Sequence, residues 1–204
     1  MSDNTYDKDF WNQRYNTESY LYGEAPNEFL VENLSYLKNG GKILCLSEGE
    51  GRNAVHLATQ GYQVTGVDQS SVAKEKAIKL ADKHKVEIHY DIANIRDYDL
   101  GEDKWDGIVS IFAHTPSSLR RQLHQKIKKA LKPDGVLLLE GYSIDQIKYE
   151  TGGPKNLDML YSKEDLAQDF GDLHIIKLEK KLRTVIEGSG HTGEASVVQF
   201  VLRK

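Results

Sequence analysis

The 204 residues, 39% apolar and 28% charged with 17 glycines and 4 prolines, have the composition of one ordinary folded domain and exclude a disordered chain or a repetitive fibre. Lys and Arg number 27 against 31 Asp and Glu, and the net charge of −4 excludes wholesale attraction to nucleic acid or an anionic membrane. A single cysteine, Cys45, excludes an internal disulfide, no histidine sits in a zinc-spaced cluster, and the longest apolar stretch, Ile108 to Ala113, is too short to span a bilayer, so a cytoplasmic protein without a metal is expected.

The chain opens acidic. Asp3, Asp7, Asp9, Glu18, Glu24 and Glu28 outnumber Lys8 and Arg14 so far that this segment carries the whole net charge. Helices are predicted over Asp7 to Tyr15 and Asn27 to Leu37, and residues 1–40 are expected to form a lid ahead of a core over 41–204 in a single domain. Trp11, Tyr15, Tyr20 and Tyr22 admit two readings, a lid over a cleft or a cover for the sheet edge.

From Ile43 the pattern alternates. Ile43 to Leu46 is an apolar strand ending in Ser47-Glu48-Gly49-Glu50-Gly51, after which Ala54, Val55, Leu57 and Ala58 recur at helical spacing up to Gly61. Tyr62 to Val67 is a second strand. Ser70 or Ser71 caps a helix with Ala73, Ala77, Leu80, Ala81 and His84 on one face. Val86 to Tyr90 and Trp105 to Phe112 are further strands, the latter apolar enough to be buried on both faces. A helix from Ser117 or Ser118 carries Leu119, Leu123, Ile127, Ala130 and Leu131 in line and stops at Pro133 and Gly135, before the strand Val136 to Glu140. Its basic residues Arg120, Arg121, Lys126, Lys128, Lys129 and Lys132 read as a solvated outer face rather than an RNA contact. Ser162 begins a short helix. The last two strands, Leu173 to Arg183 and Ala195 to Leu202, have no helix between them and are joined by the Gly-rich residues 187–193, so they pair as a hairpin. The expected class is α/β: a doubly wound, Rossmann-like sheet of about seven strands, mostly parallel with an antiparallel C-terminal hairpin, and helices on both faces.

In such a sheet ligands sit at the carboxyl ends of the strands beside the switch point. Gly49 and Gly51 let a ligand approach the turn there. Asp68 ends the second strand, where a carboxylate accepts both hydroxyl protons of an adenosine ribose. Gly49 to Ala54 also satisfies the loose dinucleotide pattern, but no Tyr-x-x-x-Lys pair occurs. Glu48 and Glu50 flanking the turn would repel a pyrophosphate and suit a positive sulfonium.

With these residues in place the chain resembles the class I S-adenosylmethionine-dependent methyltransferases over nearly its whole length. Ile43 to Asn53 looks like their glycine motif, Gly66-Val67-Asp68-Gln69-Ser70 their ribose motif, and Asp91-Ile92 their adenine position. Trp105 to Ser110 looks like the fourth-strand motif and Leu131 to Gly135 the turn before the fifth strand. The segments Phe10 to Tyr15 and Tyr22 to Asn27 resemble small bacterial enzymes grouped with the tellurite-resistance and thiopurine methyltransferases. The resemblance implies S-adenosylmethionine as cofactor, held by Ser47, Gly49, Gly51, Asp68, Gln69, Asp91, Ile92 and Ser110, and methyl transfer to a small molecule.

Three residues depart from the pattern. Cys45 stands where the class has an acid, and Ser47 and Asp134 stand where it has glycines, for which less extreme backbone angles are expected. Cys45 removes a polar anchor of the loop, and with Ser47 it motivates a second reading, a cofactor-binding protein that has lost turnover. Methyl transfer needs alignment more than a nucleophile, so no catalytic residue is assigned. On the substrate side, Tyr22, His114, Tyr142 and His191 either face the acceptor or are held by backbone and solvent.

Overall fold

The computed structural model describes residues 7–204; Asp3, part of the acidic segment and of the expected lid, lies outside the described residues. The predicted sheet forms with strand order β3-β2-β1-β4-β5-β7-β6, built from β1 (Lys42–Leu46), β2 (Gln63–Asp68), β3 (His89–Ile92), β4 (Trp105–Ile111), β5 (Leu131–Tyr142), β6 (His174–Glu187) and β7 (His191–Arg203). The first five strands are parallel, and β7 runs antiparallel to both β5 and β6. Alternation along β1 feeds two cores: Leu44 and Leu46 pack with Ile108, Leu139 and Phe200 on one face, Ile43 and Cys45 with Val109, Leu138 and Phe29 on the other. Because neither face meets water, the strands read as continuous apolar runs.

The helices are α1 (Lys8–Tyr15), α2 (Glu28–Glu32), α3 (Arg52–Thr59), α4 (Ser71–His84), α5 (Ser117–Ala130) and α6 (Lys163–Phe170). Side-chain caps set several starts, with Asp7, Asn27, Ser70 and Ser162 each accepting from a backbone N–H of the first turn.

Local chemistry displaces some predicted boundaries. The third strand begins at His89 rather than Val86, because Lys85 turns left-handed (φ 58°) and Val86 donates back to Ala81 O at 3.1 Å to close α4. His84, expected on the buried face of α4, is exposed. Asn27 to Leu37 is broken into α2 and a 3-10 turn at Leu34–Tyr36. The hairpin connection shortens to residues 188–190, since Val185, Ile186 and Glu187 pair with Gly193, Thr192 and His191.

The basic face of α5 is not simply solvated. Arg120 is buried, donates to Asp158 O at 3.0 Å and lies over the Tyr161 ring. Lys126 donates to Arg96 O at 2.7 Å and Lys128 pairs with Asp172, while Lys132, which falls in β5 rather than in the helix, pairs with Asp106. Most of this charge is spent on the protein's own carbonyls and acids.

Candidate active site

The switch point lies between β1 and β4, and a cleft of about 560 Å³ opens at their carboxyl ends. Its floor is the turn after β1. Ser47 (φ 50°) and Asp134 (φ 64°) both adopt the left-handed backbone, so the expectation of relaxed angles fails: the turns keep a glycine's conformation without the glycine. Gly49 (φ 62°) has a different constraint, since a Cβ there would stand 2.8 Å from Tyr15 Oη. Gly51 does not line the cleft; its missing Cβ is required by Ala77 of α4, whose Cβ would be 2.6 Å away.

Replacing Gly49 with alanine is therefore expected to cost about 1–2 kcal/mol from backbone angle alone, and more from the clash. Adding Tyr15→Phe should recover part of the loss in melting temperature, by removing the oxygen in the way. No recovery would place the constraint elsewhere.

Asp68 accepts from Gly49 N at 3.1 Å and Ser70 N at 2.9 Å, so one carboxylate ties the glycine turn to the end of β2. Burial raises its pKa to about 6 against those backbone N–H groups. Glu48, three residues after Cys45, supplies the turn with a carboxylate of its own. Its Oε1 accepts from Ala54 N at 2.7 Å, Asn53 N–H and the Cys45 thiol also bond to it, and burial raises its pKa to about 7. Cys45 itself is fully buried among apolar side chains. Glu50 has another job: it pairs with Lys76 and accepts from Leu21 N at 2.8 Å, while Lys76 donates to Thr17 O at 3.1 Å and Ser19 O at 2.7 Å. Its charge is matched, so the repulsion of a pyrophosphate falls to Glu48 and Asp68.

Of the other expected cofactor residues, Ser47 and Gln69 line the cleft. Asp91, Ile92 and Ser110 do not: the Asp91 carboxylate meets Tyr98 Oη at 2.7 Å and His89 Nε2 at 2.8 Å, Ile92 is exposed, and Ser110 is buried within β4. The wall beyond β3 is supplied by Ala93 to Arg96, with Asn94 Nδ2 donating to Gln69 Oε1 at 3.1 Å. Trp11, Tyr15 and Tyr22 roof the cleft, and Tyr20 points away to Lys76 O.

Past β4 the cleft becomes aromatic. Phe112 sits in left-handed backbone (φ 52°), with its ring 4.5 Å from Tyr142 and 4.9 Å from His191, and Tyr22 is 4.4 Å from His191. His114 lines this end but both ring nitrogens are engaged, Nδ1 donating to Met159 O at 2.9 Å and Nε2 accepting from Tyr142 N at 3.2 Å. Burial lowers its pKa to about 4, so it is neutral. Tyr142 is fully buried behind this wall. His191 lines the cleft, with Nδ1 3.8 Å from Glu187 Oε2 directly across the hairpin.

Glu187 belongs to a buried network. It takes Arg52 at 2.6 Å and Asn27 at 2.8 Å; Asn27 also donates to Glu140 at 2.7 Å, and Glu140 accepts from Arg183 and Gln199. Two acids and two arginines balance, which is what permits this burial. The network was not legible in the sequence, because its members come from five separate segments.

The sheet order, the glycine turn after β1 and the acid ending β2 define a class I S-adenosylmethionine-dependent methyltransferase fold, and two buried carboxylates at the turn fit ribose hydroxyls and a sulfonium better than a pyrophosphate. Residues 43–135 match the methyltransferase domain family. A curated relative, the tRNA (uracil(54)-C(5))-methyltransferase of Pyrococcus horikoshii, is 27% identical over 171 residues, which are 73% of this chain and 40% of that protein. The chain thus spans about two fifths of that relative's length. The crystal structure of TehB from Haemophilus influenzae superposes with a TM-score of 0.72 at 19% identity, over 97% of this chain and 66% of that one. A structure concerned with conversion of a disulfide bond into a thioacetal group during echinomycin biosynthesis reaches a TM-score of 0.74 at 18% identity, over 97% and 92%. The fold is therefore shared with both of those structures. Among the described residues no group of His, Cys, Asp or Glu could hold a metal, and no helix is long and apolar enough to cross a membrane.

Proposed function

We propose that this protein transfers a methyl group from S-adenosylmethionine to a small-molecule acceptor, working as a single domain with residues 1–40 as its lid. The observation that carries the reading is the continuity of the cleft from the Asp68 and Gly49 turn to the aromatic end at Phe112 and His191. Asp68 would hold the ribose hydroxyls, with Ser47, Gly49 and Gln69 beside it. The cofactor, when bound, supplies an activated methyl on a positive sulfur. The chain itself contributes alignment and exclusion of water, with Trp11, Tyr15 and Tyr22 covering the cleft from above. Cys45, buried and single, suits a reducing compartment such as the cytoplasm.

Isothermal titration against S-adenosylmethionine and NAD tests this. Binding of the sulfonium and not of NAD is expected; tight NAD binding with no response to the sulfonium would sink the reading. A protein that binds the cofactor but releases no methylated product from any acceptor would instead be a sensor or partner subunit. The tRNA methyltransferase relative supports RNA as a second acceptor class, whereas the engaged lysines Lys126 and Lys128 of α5 and Lys132 of β5 speak against it. That class requires RNA binding that weakens with salt.

A further inference from the structure

We propose that His191 is the general base of the transfer and Glu187 its positioning residue, so that the acceptor is a flat, uncharged molecule methylated on a phenol-type hydroxyl. This rests on the methyl-transfer reading above. The Tyr22 and Phe112 rings flank His191 at 4.4 and 4.9 Å, centroid to centroid, and such faces receive a flat aromatic body. Nδ1 of His191 is buried and faces Glu187 Oε2 at 3.8 Å. His191 lines the cleft, and Nε2 is the ring nitrogen away from Glu187 that the proposal assigns to the acceptor. Glu187 cannot swing away, because Arg52 and Asn27 hold its two oxygens at 2.6 and 2.8 Å. A carboxylate behind a histidine fixes its tautomer and stabilises the imidazolium. Of the other imidazole and carboxylates lining the cleft, His114 has both nitrogens engaged, Glu48, Asp68 and Asp7 accept from backbone N–H groups, and Glu50 pairs with Lys76.

In the step, an oxygen lone pair of the acceptor forms the O–CH3 bond as the S–CH3 bond breaks. The broken bond's electron pair stays on sulfur, giving a neutral thioether. The hydroxyl proton passes to His191 Nε2, leaving a neutral ether and an imidazolium facing Glu187. Glu187 from β6 favours that imidazolium, and Arg52 from α3 and Arg14 from α1 oppose it; Tyr22, Tyr142 and His114 complete the surroundings.

The test uses the full chain with S-adenosylmethionine and two acceptors sharing one ring body, 2-naphthol and 2-naphthalenethiol, read as S-adenosylhomocysteine release. A thiol ionises more readily than a phenol and has less need of a base. Wild type is expected to methylate 2-naphthol. His191→Asn should lower its kcat about 100-fold with KM moved less than about threefold, and lower the naphthol-to-thiol rate ratio by about tenfold or more. Glu187→Gln should shift the midpoint of the pH–rate profile downward, together with the His191 ring titration seen by NMR, which a purely structural role would not do. If that variant fails to fold, as a melting curve would reveal, the rate ratio of His191→Asn decides. Equal losses on both acceptors, or no loss, overturn the proposal. A wild type that binds the cofactor but leaves 2-naphthol unmethylated overturns the acceptor class and leaves methyl transfer to its own test. Absence of cofactor binding overturns both.

Discussion

Changing Asp68 to asparagine is expected to weaken S-adenosylmethionine binding about 100-fold, as two charge-assisted hydrogen bonds worth about 1.5 kcal/mol each become neutral or are lost. The carboxylate is the one group that both ends β2 and holds the glycine turn, through Gly49 N and Ser70 N. An amide presents one NH2 where both neighbours are donors, so either the turn or the ribose loses its acceptor. Isothermal titration reads the affinity, and a melting curve without cofactor separates turn damage from lost ribose contacts. A loss below about fivefold would remove Asp68 from the cofactor site.

The second large effect is expected at Glu48. Truncation to alanine leaves the Ala54 and Asn53 N–H groups buried without their acceptor, at about 1–3 kcal/mol each. At about 2–4 °C per kcal/mol for a chain of this size, a melting temperature lower by roughly 4–24 °C follows. Because the Cys45 thiol reaches the same carboxylate, an acid at 45 is expected to reach the donors that Glu48 leaves behind. Cys45→Asp added to Glu48→Ala should therefore recover at least part of both stability and cofactor affinity, while Cys45→Asp alone should destabilise by crowding two acids together. Failure of the double variant to improve on Glu48→Ala would show that the two positions are not interchangeable.

Glu48 also sets a pH dependence. Burial raises its folded pKa from an ordinary 4.5 to about 7, so its ionisation disfavours the folded state. The contribution is most favourable below the unfolded value and is lost as pH rises through about 7. Glutamine keeps a carbonyl for Ala54 N–H but never ionises. The melting temperature of wild type relative to Glu48→Gln should thus fall between pH 5 and pH 8, a difference in which the buried histidines and Asp68 largely cancel. A difference flat in pH would mean that Glu48 does not titrate there.

What the sequence alone determined is what local chemistry and period control. The apolar runs at Ile43 and Ile108, the capping residues Ser70 and Ser162, and the absence of a helix between the last two strands specify a doubly wound sheet with a terminal hairpin, because burial on two faces and cap hydrogen bonds act within a few residues. The turn with Asp68 marked the cleft for the same reason. Only the tertiary structure decided which acid anchors the loop: the Glu48 carboxylate takes the Ala54 N–H and the Cys45 thiol turns to that same carboxylate. It also decided that Asp91 turns to Tyr98, that Arg120 is buried, and that His191 is backed by Glu187. That last pairing follows from hairpin register, and the clamp on Glu187 comes from Arg52 and Asn27, more than a hundred residues away in the chain. Polar contacts across such separations leave no periodic trace in a sequence; they are set when the sheet closes and the lid settles on it.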